Sequence, residues 1–595
     1  MHQVKDTHST PKNELESTPA IDLRTLAVVG DQRTCALITQ AGEVVWYCPT
    51  KFDNPSLFGK LIGGEAAGAW YFSAPDMVFQ SRKYLGESAL LESTYAIDGA
   101  SFCVRDWMPF MEEPVFGLIR EFFAPPQDLT VMLRAAPDYG RAEPDFQEYD
   151  DYVRIGDVGY FYASHPWHIH GDCITVTIPK GENGYTLLMD TMLIDALKNK
   201  IGTWYKHSLE RWEDLASHIH FEGPYQELVK DSIRAIRLMS YAPTGGIIAA
   251  ATTSLPEVPG GERNYDYRYV WLRDAGMIVS ALIWAGSEGT EERRYLSYIC
   301  DTAHQVPNYY LKPLFSVSQT EVPGETYLDW PGYLGSRPVR VGNDANDQLQ
   351  LDSLGNVLLA AELIFDAYDT REHWAICEQI ADFLCENWQE ADHGLWEETQ
   401  QHHYTCGKVL VAVTLEAMTK YQEDPAKQEK WRQTARQVRE YIDTHCLTSD
   451  GAYAVYAGSE DVDISAALFP VWSYTEALAD PMVKTMERIE QDYCRENLYW
   501  RHLVDVDSAQ EGAFLASTFW VAQYYVRAQK YPKAEAIIEA ALQYTTDLGF
   551  FAEEVDLDHR RMMGNIPQSF VHAAFIDAVV DLRNAYAKES LESPN

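Results

Sequence analysis

Three stretches of the sequence gather carboxyl groups, guanidinium groups and aromatic rings in a way that suggests chemistry. The first, Gly260 to Asp274, carries Tyr265, Tyr267, Tyr269 and Trp271 and ends in the pair Arg273-Asp274 at the approach to a helix. Taken alone, Asp274 reads equally well as a carboxylate stabilised at a helix N-terminus and as a ligand-binding group. The second, Asp392-His-Gly-Leu-Trp-Glu-Glu398, sets Glu397 and Glu398 beside Trp396. An apolar wall raises the pKa of a neighbouring carboxyl group and lets it hold a proton near neutrality, as a general acid must. The third, Leu548 to Asp556, places Glu553 and Glu554 after two phenylalanines. For the second and third stretches a solvated acidic loop is the competing reading.

Two carboxyl groups on separate loops suit cleavage of a glycosidic bond. One protonates the leaving oxygen, and the other activates water on the opposite face or attacks directly. The loop Gly335 to Asp344 adds Arg337, Arg340 and Asn343-Asp344. Guanidinium forks and carboxylates are what sugar hydroxyls take as partners.

The elements that must position these residues change along the chain. From Ile21 to His220 short apolar or alternating runs recur, such as Cys35–Thr39, Gly117–Phe123, Leu129–Ala135 and Gly184–Met189, separated by turn formers. Many short strands so spaced predict a β-sandwich. Asp195–Ser217 reads as a charged helical linker carrying Trp204 and Trp212. Beyond Tyr225 the apolar period becomes that of a helix, with about twelve helical stretches, Ile464–Leu478 among them. Long loops interrupt them at Ala242–Arg273, Tyr310–Leu349, Asp392–Gly407, Arg495–Ala513 and Thr545–Ser569. Loops of that length inside a compact domain are usually functional or disordered, and these are rich in aromatic, acidic and glycine residues. Helices in hairpins predict an (α/α)6 barrel whose loops form one pocket at one end. An α-solenoid fits the period nearly as well, but no short repeat is evident. The expected division is a flexible tail over 1–20, a β-sandwich over 21–194, a helical linker over 195–222 and a barrel over 223–590.

Composition narrows the partners. Among 595 residues, 89 Asp and Glu against 48 Lys and Arg leave a net charge of −41, which disfavours nucleic acid or an anionic membrane as a partner. The 12% aromatic content is consistent with large cores, with a ring-paved cleft, or with both. None of the ten cysteines forms a CxxC pair, so a zinc or redox motif has no support. With no apolar leader and no long apolar run, a cytoplasmic protein is expected.

At this point the residues resemble the glucoamylase–trehalase family of glycoside hydrolases (family fifteen), in its two-domain prokaryotic form. Val29 to Ile38, Val44-Val-Trp46 and Phe52 to Ser56 look like the opening of the family's β-sandwich. Asn264 to Asp274 is similar to its first active-site loop, and Gly332 to Asn343 with Asp347 to Asp352 to the second. Gly394-Leu-Trp-Glu397, Glu553 to Asp556 and Gly564 to Phe570 are similar to the acid and base regions. The resemblance implies Glu397 as general acid, Glu553 as general base, and Arg273 and Asp274 as the clamp on a terminal glucose. It implies sugar contacts for Arg340 and Glu398, and pocket-lining rings at Tyr267, Trp271, Trp396 and Trp520. Choosing Glu397 over Glu398, and Glu553 over Glu554, rests on the flanking Trp396 and Asp556. Val555 stands where many members have an aromatic residue, and Asp344-Ala-Asn346 replaces a run of small residues. Inversion of configuration is implied, with neither cofactor nor metal.

The activity expected is exo-acting release of β-glucose from terminal α-glucosidic bonds of short α-gluco-oligosaccharides. A trehalase or an α-1,6-specific glucohydrolase of the same family is the alternative. A phosphorylase and a non-catalytic carbohydrate-binding regulatory protein are the readings from other classes, and possession of both Glu397 and Glu553 counts against them. Linkage, chain length and oligomeric state stay open.

Overall fold

A computed structural model describes residues 20–112, 115–193, 198–502 and 511–592. The tail expected over residues 1–20 lies, except for Ala20, outside the described residues.

Between Leu26 and Met189 the chain forms two antiparallel sheets, one of seven strands and one of eight. They pack through rings on facing strands. Trp70 and Phe72 of the first sheet meet Phe161, Tyr95 and Phe122 of the second at centroid distances of 5.2–6.2 Å. Leu129–Arg134 shows the alternation that puts one side of a strand in the core, with Leu129, Val131 and Leu133 buried. Strand Val78–Tyr84 escapes a reading by pattern because it is a mostly exposed edge strand of polar sequence, packed on one neighbour only. Helix Lys198–Ala216 returns across the sandwich, with Trp212 set 4.6 Å from Phe110 and Tyr205 5.8 Å from Trp107.

The helical region is a double ring. The helices Asp274–Trp284, Leu351–Tyr368, Thr405–Met418, Leu515–Arg527 and Ser569–Glu592, with the 3-10 segment Ile464–Leu468, form the inner ring. The helices Gln226–Leu238, Glu291–Gln305, Trp374–Asn387, Pro425–His445, Asp480–Asp492 and Tyr531–Leu542 back it from outside. Sequence separates the two kinds. Inner helices are buried all round, as Leu515 to Val526 without a break. Outer ones bury a stripe, as Trp431, Thr434, Ala435, Val438 and Ile442 do in an otherwise polar helix. The helix expected over Ile464–Leu478 is instead five residues of 3-10 helix followed by turns. Pro470 has no N–H to extend the ladder, and Ser473 takes a left-handed φ of 60°. Among the described residues no helix is long and apolar enough to cross a membrane.

The sandwich braces the loops at one end of the barrel. Trp46 Nε1 donates to the carbonyl of Ala251 at 2.8 Å. Arg268, buried within the first active-site-like loop, donates to the Asn54 carbonyl and the Tyr139 hydroxyl of the sandwich, each at 2.9 Å, and to Asp266 at 2.7 Å. Asp266 in turn accepts from the backbone N–H of Gly342, on the second loop, at 3.2 Å.

Candidate active site

The loops that precede the inner helices surround a cavity of about 450 Å³. Tyr267, Trp271, Arg273, Asp274, Arg340, Trp396, Glu397, Glu398 and Glu553 all line it. Trp520 does not. It lies one layer deeper on helix Leu515–Arg527, 1% exposed, stacked on the Trp396 ring at 5.9 Å and edge-on to Phe570 at 5.3 Å. It supports the ring that faces the cavity.

Glu397 sits in a turn with a left-handed φ of 61°. A non-glycine residue there is strained by about 1–3 kcal/mol, so its surroundings must hold it. Trp271 Nε1 and Arg273 Nη1 donate to the same Glu397 oxygen at 2.5 and 3.0 Å, and Gln348 Nε2 donates to its carbonyl at 3.2 Å. Arg273 also reaches the Leu395 carbonyl at 3.0 Å and Asp274 at 3.1 Å, so one guanidinium joins the first loop to the loop that carries Glu397. Trp396 Nε1 donates to Asp463 at 2.9 Å, which fixes its ring.

Glu553, buried, also lines the cavity. The Tyr267 hydroxyl donates to it at 2.8 Å and Gln568 Nε2 at 3.3 Å. Burial, then the negative charge of Glu257, push its carboxyl up to about 8, against the pull of Arg501. The rings of Tyr267 and Trp271 touch edge-on at 5.5 Å. Each carboxyl group is therefore tied to one of two adjoining rings on a single loop. Gly564 leaves room for Glu553, since a Cβ there would stand 2.6 Å from Glu553 Oε2. Glu554, the next residue, begins the strand Glu554–Asp556 and does not line the cavity.

Glu554 belongs to a buried cluster in which Glu257, Glu511 and Glu554 offer oxygens within 4.8 Å of one another. Two guanidinium groups supply the countercharge. Arg263 meets Glu257 at 2.6 Å and Glu511 at 2.8 Å, and Arg501 meets them at 2.9 and 3.0 Å. Burial would raise the Glu257 carboxyl, but Arg263 and Arg501 hold it at about 2. Glu554, raised by burial and by its acidic neighbours, stays far above the carboxylate range. Arg501 also lies over the rings of Trp396, at 5.2 Å, and Phe514, at 4.8 Å, and lines the cavity. Neither Arg501 nor Glu257 stands in a motif. The only sequence signal for them is the length of the loops that carry them.

Arg340 faces the cavity, yet its guanidinium also binds Glu325 at 2.8 Å and the carbonyls of Glu262 and Asn264 at 2.7 and 3.0 Å. It thereby clamps the first loop to the hairpin bearing it. Not every ring on these loops faces the cavity. Tyr265 does, while Tyr269 is buried with Leu314 and Val322 beneath it. Trp330 packs 6.1 Å from Tyr139 of the sandwich and against Gly59, where a Cβ would stand 2.3 Å from the indole. The Tyr333 hydroxyl donates to the Ile21 carbonyl at 2.7 Å. Trp330 and Tyr333 join the two parts of the chain.

The sequence matches the profile of glycosyl hydrolases family 15 over residues 223–536 and 532–580, and the profile described as trehalase-like, N-terminal over residues 12–178. Trehalase 1 of Sulfolobus acidocaldarius is 27% identical over 589 residues, covering 95% of this chain and 99% of that protein. The trehalase of Thermoplasma volcanium is 26% identical, with 94% of each chain covered. The trehalase of Mycobacterium tuberculosis is 27% identical over 94% of this chain and 89% of its own. Among solved structures, a bacterial glucoamylase complexed with acarbose superposes with a TM-score of 0.68 over 96% of both chains, at 12% identity. That likeness is one of fold, a β-sandwich followed by an (α/α)6 barrel.

Proposed function

Because the chain belongs to glycosyl hydrolases family 15, we propose that it hydrolyses the α,α-1,1 bond of trehalose, with Glu397 as general acid and Glu553 as general base. The observation that carries the choice of substrate is the reach of the relatives named trehalase, which align along 93–95% of this chain. The preference for short gluco-oligosaccharides drawn from the sequence therefore yields to its alternative.

The geometry supports the following course. One glucose ring lies against Trp271 and Tyr267, its hydroxyls on Arg273 and Asp274. Glu397 gives its proton to the bridging oxygen as the C1–O bond breaks. A water on the opposite face forms the new bond to C1 and gives its proton to Glu553, whose other contacts orient it. The proton then leaves Glu553 to solvent and Glu397 is reprotonated. Attack from the opposite face inverts the attacked carbon, while the leaving ring keeps its configuration. Trehalose therefore yields one β-glucose and one α-glucose per turnover.

Two measurements test this reading. In proton NMR at early times, before mutarotation, trehalose gives the two anomers in equal amounts, and kcat/KM for trehalose exceeds that for maltose, isomaltose and panose. Faster turnover of maltose or isomaltose overturns the choice of substrate, and two α-glucose molecules per trehalose would rule out inversion. The second is a pH profile. A base must be ionised, so kcat/KM falls as pH drops through the Glu553 pKa. With that carboxyl up at about 8, the acidic limb stands well above the usual carboxyl range. Glu257→Gln removes a negative charge that raises it, so the limb moves to lower pH. A limb that stays in place, or moves up, contradicts the assignment of Glu553.

A further inference from the structure

A second cavity, of about 480 Å³, lies inside the barrel beyond the first. Every element of the inner ring or the turn following it contributes to its wall, and in the helices that begin at Asp274, Leu515 and Ser569 the wall residues lie up to three turns past Asp274, Phe514 and Phe570, which border the catalytic cavity. The two chambers are separated by a stacked pair of indoles. Trp520 borders the deeper one, and Trp396, against which it stacks, borders the other.

The wall has the makings of a ligand site. Trp284 and Trp472 offer ring surface beside Leu468 and Val471. Asp577, only 6% exposed, accepts from Ser280 Oγ at 2.8 Å through one oxygen, and its other oxygen has no hydrogen-bond partner among the described residues. Burial pushes this carboxyl well above its usual range, which favours the protonated form, and a protonated carboxyl can both donate and accept. The charged groups at the edge are already matched. Glu416 pairs with Arg439 at 2.8 Å, and Lys420 serves Glu362 at 3.0 Å and Asp366 at 2.6 Å. A charged ligand would lose its hydration here without gaining a free countercharge. Unspent hydrogen-bonding capacity beside aromatic rings, in a chamber within the usual range of about 300–1,000 Å³ for small-ligand sites, suits a different guest.

We propose that this chamber binds a neutral polyhydroxylated ring of hexose size, with Asp577 as its polar anchor and the tryptophans as its stacking wall. A ligand there touches Trp520 and through it the Trp396 ring beside Glu397. Occupancy is therefore felt in the catalytic cavity without blocking it.

The test uses the full chain and D-glucose. Equilibrium dialysis with labelled glucose gives one site per chain more than the catalytic cavity holds, and Arg273→Ala leaves that additional site in place. Trp472→Ala or Asp577→Ala removes the additional site and leaves binding in the catalytic cavity, with kcat at low glucose unchanged in Trp472→Ala. In steady-state kinetics the noncompetitive part of glucose inhibition disappears in Trp472→Ala and the competitive part remains. If those truncations fail to fold by circular dichroism, Leu359→Trp, which fills the chamber, gives the same loss of one site. No site beyond those of the catalytic cavity in the unmodified chain, an unchanged number of sites in Trp472→Ala or Leu359→Trp, or binding of methylammonium in place of glucose overturns the proposal. Glucose stoichiometry does not depend on which disaccharide is cleaved, so a failure here is distinct from a failure of the trehalose reading.

Discussion

Glu397→Gln lowers kcat on trehalose by about 10²–10⁴-fold, the usual range for loss of a general acid or base, with KM within a few-fold of the unmodified protein. The substitution keeps the shape of the side chain and the contact with Trp271, and removes the proton. Its signature is the dependence on leaving group. Fluoride leaves without being protonated, so most of the lost activity returns with α-glucosyl fluoride as substrate. Glu553→Gln loses a similar factor on both substrates, because water must be activated whichever group departs. The paired result separates the two roles. Equal losses on α-glucosyl fluoride would show that Glu397 is not the acid, and rescue of Glu553→Gln by that substrate would exchange the assignments.

Arg268→Met destabilises the protein by about 3–5 kcal/mol, the cost of leaving a buried carboxylate without its partner. Arg268 and Asp266 are both fully buried and meet at 2.7 Å. Arg268 is also the link by which Asn54, Tyr139 and the Cys48 sulfur hold the loop that carries Tyr267 and Trp271. Loss of the link lowers kcat more than it raises KM, because Glu397 and Glu553, the proposed acid and base, each hang on one of those rings. Arg268→Lys does not restore either property, since a single ammonium cannot replace a fork that donates from three nitrogens. Denaturant unfolding and kinetics on the three proteins provide the check. An Arg268→Met protein of unchanged stability and activity would remove the sandwich from any part in positioning the site.

Local pattern carried much of this in advance. Helix period, strand alternation and turn residues depend on neighbours within a few positions, so most of the helices and several strands are legible in the chain. The exceptions have local reasons of their own, as Pro470 ends one helix and the exposed edge strand Val78–Tyr84 lacks an apolar face. The motif loops were legible too, because each packs rings and charges into a short span that ordinary surface loops do not need.

Which side chain of each loop meets which other is another matter. Trp271 and Glu397 are 126 residues apart, and Tyr267 and Glu553 are 286. Glu553 and Glu554 are alike in type and adjacent, yet Glu553, in the bend before the strand, lines the cavity, and Glu554, the first residue of the strand, reaches the arginine cluster. Tyr267, Trp330 and Trp520 are all aromatic residues near active-site motifs. One lines the cavity, one locks the sandwich to the barrel and one backs a neighbour's ring. Arg501 and Glu257 gain their place beside the base only through contacts between distant loops. The chemistry available to this protein is written in short spans of residue type. The direction each group faces follows from packing between segments far apart in the chain, which no local pattern records.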